Sequence, residues 1–220
     1  LQADRRIWRD TLCDALILSL LALLQHQGWY MLHAAAVVRD GAGYLLAGKS
    51  HSGKSTLAYQ LLRRGWCYLA DDMILLRDDG AQVQAAAMGR DFRLTPAAIR
   101  LFPELKEWQA THPVGDDKWH IPVDALFPNQ VSFACPPQVL IFPEIVAQPE
   151  STLEPLRPPD AFLRLLSQMS LLAPTPDQAQ RHLHVLRQLV GQTRCYQLRA
   201  GQDLLDIPSR AEALLSSLST

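Results

Sequence analysis

A basic excess is missing from this 220-residue chain: 21 Lys and Arg stand against 22 Asp and Glu, a formal net charge of −1. Proteins that grip nucleic acid through its phosphates carry a positive surplus, so nucleic acid is not expected as a partner. Paired cysteines are missing too. Cys13, Cys67, Cys135 and Cys195 lie far apart with no C-x-x-C spacing. That excludes a zinc ribbon, a thioredoxin-type motif and a disulfide framework, and makes a reducing cytoplasm the expected compartment. No internal repeat and no low-complexity block is visible. No apolar run reaches the ~20 residues of a membrane span. The nearest candidate, residues 12–24, contains Cys13, Asp14 and Ser19, and Gln25-His26-Gln27-Gly28-Trp29 follows where a signal peptide needs a small-residue cleavage site. It reads as a buried helix, and no membrane span is expected.

What is present suits a folded domain. Hydrophobic residues make up 48% and charged residues 20% of the chain, ordinary values for a globular protein with a real core. One domain over residues 1–220 is expected, with residues 1–28 as an N-terminal helical segment packed on it. Residues 6–27 predict a helix with Gly28 as its C-cap. Residues 31–38 and 44–47 predict strands around the turn Arg39-Asp40-Gly41-Ala42-Gly43. Leu57, Leu61 and Leu62 set a helix over 56–64, ended by Gly65. Further strands are expected at 66–70, 73–76, 81–88, 139–142 and 195–198, and helices at 161–172, 178–190 and 208–218. The segment 89–137, with seven prolines, reads as irregular, and 148–160 as proline-rich loop. Strands alternating with helices argue for an α/β sheet covered by helices.

Residues 48–55, Gly48-Lys49-Ser50-His51-Ser52-Gly53-Lys54-Ser55, satisfy G-x-x-x-x-G-K-[ST] in full. The glycines permit close backbone approach and unusual backbone angles. Successive N–H groups then form an anion nest, which the N-terminal dipole of the following helix reinforces. Lys54 suits β- and γ-phosphate oxygens, and Ser55 suits Mg²⁺. A strand signal before the loop and a helix signal after it are the context this motif requires. Of the four lysines, Lys49, Lys54, Lys106 and Lys118, two sit in the loop.

Asp71-Asp72 follows the apolar run Tyr68-Leu69-Ala70, 17 and 18 residues after Lys54. A Walker-B-type acid belongs at a strand end near the metal. Adjacent strand residues face opposite ways, which gives the two acids different tasks: one for Mg²⁺ or its water shell, the other to take a proton from an attacking hydroxyl. His33 lies in the strand leading toward the loop. By spacing alone it reads as a structural histidine.

Together, Leu32-His33-Ala34-Ala35-Ala36-Val37, residues 48–56 and residues 61–72 (LLRRGWCYLADD) resemble the catalytic domain of the HPr kinase/phosphorylase family, whose relatives include kinases of lasso-peptide precursors. The resemblance is specific over about residues 31–77 and implies an α/β P-loop kinase core, shared more distantly with phosphoenolpyruvate carboxykinase. It implies an ATP- and Mg²⁺-dependent phosphotransferase acting on a serine-type hydroxyl of a protein, peptide or small molecule. Asp72 is then the general base and His33 an active-site residue. Lys54 is the phosphate lysine. Ser55 and Asp71 are the metal residues, and Gly48, Lys49, Ser50, His51, Ser52, Gly53, Lys54, Ser55 and Thr56 hold the nucleotide. A homo-oligomer is also implied. Where bifunctional members place glutamate after GKS, this chain has Thr56. The later glutamate- and arginine-containing signature is not recognisable in 89–137, and 220 residues leave no room for a separate HPr-binding domain. A stand-alone kinase relative is therefore the expectation, with a nucleotide-hydrolysing switch or a non-catalytic nucleotide-binding module as the alternative.

Weaker candidates lie in the middle. Arg90, Arg93 or Lys118 could stabilise transferred charge, although Arg93, followed by Leu-Thr-Pro, could instead cap a helix. His120 could meet substrate. Trp108 and Trp119 read as core. His182 and His184, two apart on a helix, do not share a face and form no metal site.

Overall fold

The computed structural model describes residues 2–111, 119–169, 175–207 and 209–218. Its strands are β1 (Tyr30–Leu32), β2 (Ala34–Arg39), β3 (Ala42–Ala47), β4 (Cys67–Ala70), β5 (Ile74–Asp78), β6 (Val83–Ala87), β7 (Asp91–Leu94), β8 (Trp119–Pro122), β9 (Ala134–Cys135), β10 (Pro137–Ile145), β11 (Thr152–Pro155) and β12 (Arg194–Ala200). Six of them form one mixed sheet in the order β11-β12-β10-β3-β2-β4. Within it β10 runs parallel to both β12 and β3, while β2 runs antiparallel to β3 and β4. A second, antiparallel sheet has the order β1-β5-β6-β9, and β7 pairs with β8. The fold is α/β with a parallel-containing sheet.

Alternation along the central strands builds a core on each face of the six-stranded sheet. Ala35, Val37, Tyr44, Leu46, Val139 and Ile141 point to one side, where they meet the helices Lys54–Leu62 and Arg210–Ser216. Ala34, Ala36, Val38, Leu45, Leu140 and Phe142 point to the other. There they meet the second sheet and the helices Pro158–Leu166 and Pro176–Gln192. Gln192 ties the two sheets together. Its amide nitrogen donates to Val83 O (3.1 Å) and Pro137 O (3.0 Å), and its oxygen accepts from Val83 N (2.7 Å).

Several expectations need correction. The strand expected over 31–38 is two strands in different sheets, broken at His33. Asp71-Asp72 follows β4 as expected, but in the bend between β4 and β5 rather than in continued strand geometry, with Asp72 at φ 73°. The loop expected at 148–160 contains β11, an edge strand paired antiparallel with β12. The segment 89–137 is more regular than its prolines suggest: Pro96 and Pro103 open helices, and β7 and β8 form a hairpin-like pair around them. The helix expected over 161–172 runs Pro158–Leu166, and residues 170–172 lie outside the described residues. The helix Gln2–His26 is present, but it is not buried. Leu21 and Gln25 are covered, whereas Leu12, Leu16, Leu18, Leu20 and Leu23 are exposed, because the helix lies against β1 rather than inside a layer. Among the described residues no helix is long and apolar enough to cross a membrane.

His182 is 3% exposed and stacks on Tyr30 with ring centroids 5.0 Å apart. Its Nε2 and the Tyr30 hydroxyl are buried without hydrogen-bond partners. Burial pushes the imidazole down from 6.5 to about 4. Between those values the unfolded chain takes up a proton that the folded chain refuses, so stability is full above pH 6.5 and falls as pH drops toward 4. The expected loss is about 2 kcal/mol between pH 7 and pH 5. His182→Phe keeps the stack and removes the titrating nitrogen. Urea unfolding at the two pH values should show a smaller pH difference by about that amount in the variant.

Candidate active site

β3 lies in the interior of the six-stranded sheet, and its C-terminal end delivers the chain into the glycine-rich loop. The loop turns through the Ser52 N to Lys49 O hydrogen bond (3.3 Å) and enters the helix Lys54–Leu62. Gly53 occupies the N-cap position at φ 93°, a region L side chains rarely adopt, and no side chain caps the helix. The first-turn N–H groups take no side-chain cap from that position and suit phosphate oxygens. A Cβ at Gly48 would lie 2.9 Å from Ser52 Oγ, so any larger residue there displaces that hydroxyl. Gly53→Ala should cost about 1–2 kcal/mol of stability through backbone strain alone. It should also weaken nucleotide affinity; thermal unfolding with and without ATP checks both.

Lys54 is 6% exposed, and its Nζ donates to Gly48 O (2.7 Å) and Lys49 O (2.8 Å). The ammonium thus sits inside the curl of the loop, where the nest needs positive charge. Lys49, Ser50 and His51 are exposed on the loop's outer turn, and Ser52 and Thr56 are half-buried.

The two acids diverge. Asp71 is 8% exposed and accepts from Ser55 Oγ (2.8 Å) and from the Arg93 backbone N (2.9 Å). Asp72, turned by its left-handed backbone, presents Oδ2 to Arg93 Nη1 (2.7 Å) and Oδ1 to His33 Nδ1 (3.1 Å). His33 Nδ1 also lies 2.9 Å from Asp72 O. Both partners are oxygens without hydrogens, so Nδ1 carries the ring proton and donates. The break between β1 and β2 allows this: His33 N donates to Gln168 O (3.3 Å), outside the sheet ladders, and the ring turns toward Asp72. His33, Lys54, Ser55, Asp72 and Arg93 line one cavity of about 340 Å³, joined by Thr95, Ala98, Leu101 and Ile145.

Arg93 is the candidate that gains most. It does not cap a helix: Thr95 does, accepting from Ala98 N (3.2 Å), while Arg93 clamps both acids. Thr95, Leu101 and Ile145 had no sequence signal: Thr95 caps the short helix Pro96–Ile99, Leu101 lies in the turn after it, and Ile145 ends β10. Arg90 pairs instead with Asp124 (3.3 Å) and does not line this cavity. Lys118 lies outside the described residues. His120 lines a separate cavity behind Asp71, together with Ile17, Leu20 and Met88. Trp119 is core, and Trp108 packs edge-on against it at 5.9 Å. His184 is exposed and lies 3.3 Å from Asp78, while His182 is buried beside Tyr30, so the two do not converge.

Among the described residues no group of three or more His, Cys, Asp or Glu forms a metal site. The Ser55 hydroxyl and the Asp71 carboxylate nonetheless supply two adjacent hard oxygens. That donor set fits Mg²⁺, which takes one or two protein oxygens and completes its shell with substrate phosphates and water. Tyr68, buried under the two acids, donates to Asp91 O (2.9 Å); burial raises its phenol so far that it stays neutral.

An α/β chain with a glycine-rich loop, a buried loop lysine and two divergent acids has the parts of a nucleotide-phosphate site. No family model matches the chain. Proteins named HPr kinase/phosphorylase from Chlorobium phaeovibrioides and Chlorobium luteolum are each 42% identical to it over 55 residues. Those residues are 25% of this chain and 17% of each relative, so the chain spans about a sixth of the length of the curated relatives it matches. A solved structure of the Hpr(Ser) kinase/phosphatase from Coxiella burnetii is similar at a TM-score of 0.40 and 21% identity, over 56% of this chain and 70% of that one. The curated matches support the resemblance to the HPr kinase/phosphorylase family.

Proposed function

We propose that this protein transfers the γ-phosphoryl group of ATP to a serine-type hydroxyl on a protein, peptide or small molecule, with Asp72 as the general base. The observation that carries this reading is the Asp72 carboxylate, clamped between Arg93 and His33 on the wall of the cavity that also holds Lys54 and Ser55. The name of the curated relatives supports a kinase-like function at family level, without the acceptor or the base.

The chemistry follows from the geometry. The loop N–H groups and Lys54 bind and orient the β- and γ-phosphates. The Asp72 carboxylate, held by Arg93 and His33 on the cavity wall, takes the proton of an incoming hydroxyl. As that hydroxyl oxygen bonds to the γ-phosphorus, its proton passes to Asp72 and the bond to the β,γ-bridging oxygen breaks, releasing ADP. Arg93 and His33 fix the carboxylate's direction. Ser55 and Asp71 would hold Mg²⁺, which when bound neutralises charge on the β- and γ-oxygens.

The test is phosphoryl transfer from γ-labelled ATP with Mg²⁺, offering free serine, seryl peptides and a cell lysate as acceptors. Label on an acceptor is the expected result and gives the acceptor class. Release of inorganic phosphate that no acceptor changes would assign the site to a hydrolase or switch. Binding of ATP with no turnover would assign it to a binding module.

A further inference from the structure

We propose that the apolar cleft beside the first turn of the helix Lys54–Leu62 holds the base of the nucleotide, gripping adenine or guanine by the ring faces. The proposal rests on the nucleotide-binding reading above and adds where the base goes and how little its edge is read. The cleft measures about 110 Å³ and is walled by Leu57, Leu101, Ile145, Leu198, Leu204 and Leu205, with no charged side chain in its lining. It is continuous with the Asp72 cavity: Gly53, Thr56, Leu101 and Ile145 line both. A ligand whose phosphates lie on the loop N–H groups therefore reaches the cleft over Thr56.

The exposure of the walls points to a flat apolar occupant. Leu101, Leu205 and Ile145 are 44%, 49% and 65% exposed, three large wetted side chains gathered on one slot. A heteroaromatic ring placed between them removes that surface from water on both of its faces. The cavity across the loop, about 490 Å³, is of another kind. It carries Glu144, Arg164, Gln168 and Gln197. Arg164 donates to Gln197 there, and Gln197 donates to Glu144 (3.4 Å). A base seated among those groups would meet charge and polar side chains rather than an apolar face.

Little in the cleft reads a purine edge. Gln60 commits one amide N–H to Leu204 O (2.5 Å), while Ser52, whose Oγ is buried without a partner, and Thr56 belong to the loop and the first helical turn, on the phosphate side of the cleft. Discrimination of 10⁴–10⁵ needs hydrogen-bonding groups built to the ligand's edge, and shape alone gives far less. ATP and GTP should bind within about tenfold of each other.

The test titrates ATP, GTP and inorganic tripolyphosphate, each with Mg²⁺, into the whole chain by calorimetry. Tripolyphosphate has the phosphates and no base. Both nucleotides should bind at least roughly tenfold tighter than tripolyphosphate. Leu205→Ser, at a half-exposed position that folding should tolerate, should weaken ATP and GTP together by roughly fivefold to tenfold and leave tripolyphosphate unchanged. Leu101→Ser is the second variant and should act in the same direction. The proposal falls if tripolyphosphate binds as tightly as ATP. It also falls if one purine is preferred by more than about tenfold, or if Arg164→Ala weakens ATP while Leu205→Ser does not. Failure of all three ligands to bind would remove the nucleotide reading of the loop itself, and the cleft assignment with it.

Discussion

Asp72→Asn should lower acceptor-dependent phosphoryl transfer by about 10²–10⁴-fold, the usual yield of a positioned general base. Asparagine is the informative replacement because Asp72 sits at φ 73°. Asn tolerates the left-handed region, whereas alanine there would add backbone strain of about 1–2 kcal/mol and blur the result. The amide oxygen can still accept from Arg93, so that side of the clamp survives. On the other side the amide N–H₂ group would face the His33 Nδ1–H, two donors in opposition, and the ring must turn or change tautomer. Nucleotide affinity should change little, since Lys54 and the loop hold the phosphates. Initial rates with labelled ATP, read beside an ATP titration and a thermal unfolding curve, separate lost chemistry from lost binding or folding. A variant within a few-fold of the parent rate would remove Asp72 from the role of base.

The loop was legible in the sequence because phosphate binding by backbone N–H groups demands contiguous residues: glycines, lysine and hydroxyl must follow one another at one spacing. The acid pair was visible from its place after an apolar strand, and His33 through the family resemblance. Their geometry was not legible. The alternation of the preceding strand was expected to carry into Asp71-Asp72, but the chain bends there, and the left-handed Asp72 lets neighbouring acids turn to different partners. Arg93 was one charged residue among several in a proline-rich stretch. What singles it out is β7 lying against the bend, so that its backbone N and its guanidinium meet one acid each. The edge strand β11 was hidden by Glu154 and Pro155, residues an exposed edge accepts. The N-terminal helix was legible as a helix. Its exposure was not, because an apolar sequence does not state which element it lies against.

Lys54→Met should lower transfer by about 10²–10³-fold and weaken ATP binding as well, a different signature from that of Asp72→Asn. Methionine keeps much of the buried stem volume, so the 6% exposed position stays filled. What is lost is the charge and the two hydrogen bonds to Gly48 O and Lys49 O. Those carbonyls are drawn inward by the ammonium, so removing it loosens the curl of the loop and takes away the positive charge meant for the β- and γ-oxygens. Lys54→Arg tests whether charge alone suffices. A planar guanidinium with a fixed fork of donors does not reproduce a compact ammonium between two converging carbonyls. Restoring the charge should therefore recover less than about a tenth of the parent rate, on the same electrostatic scale. Steady-state kinetics should show KM for ATP rising and kcat falling in the Met variant, against a fall in kcat alone for Asp72→Asn. Full transfer by Lys54→Met would mean that the phosphates do not rest on this loop, and the proposed chemistry at Asp72 would lose its donor.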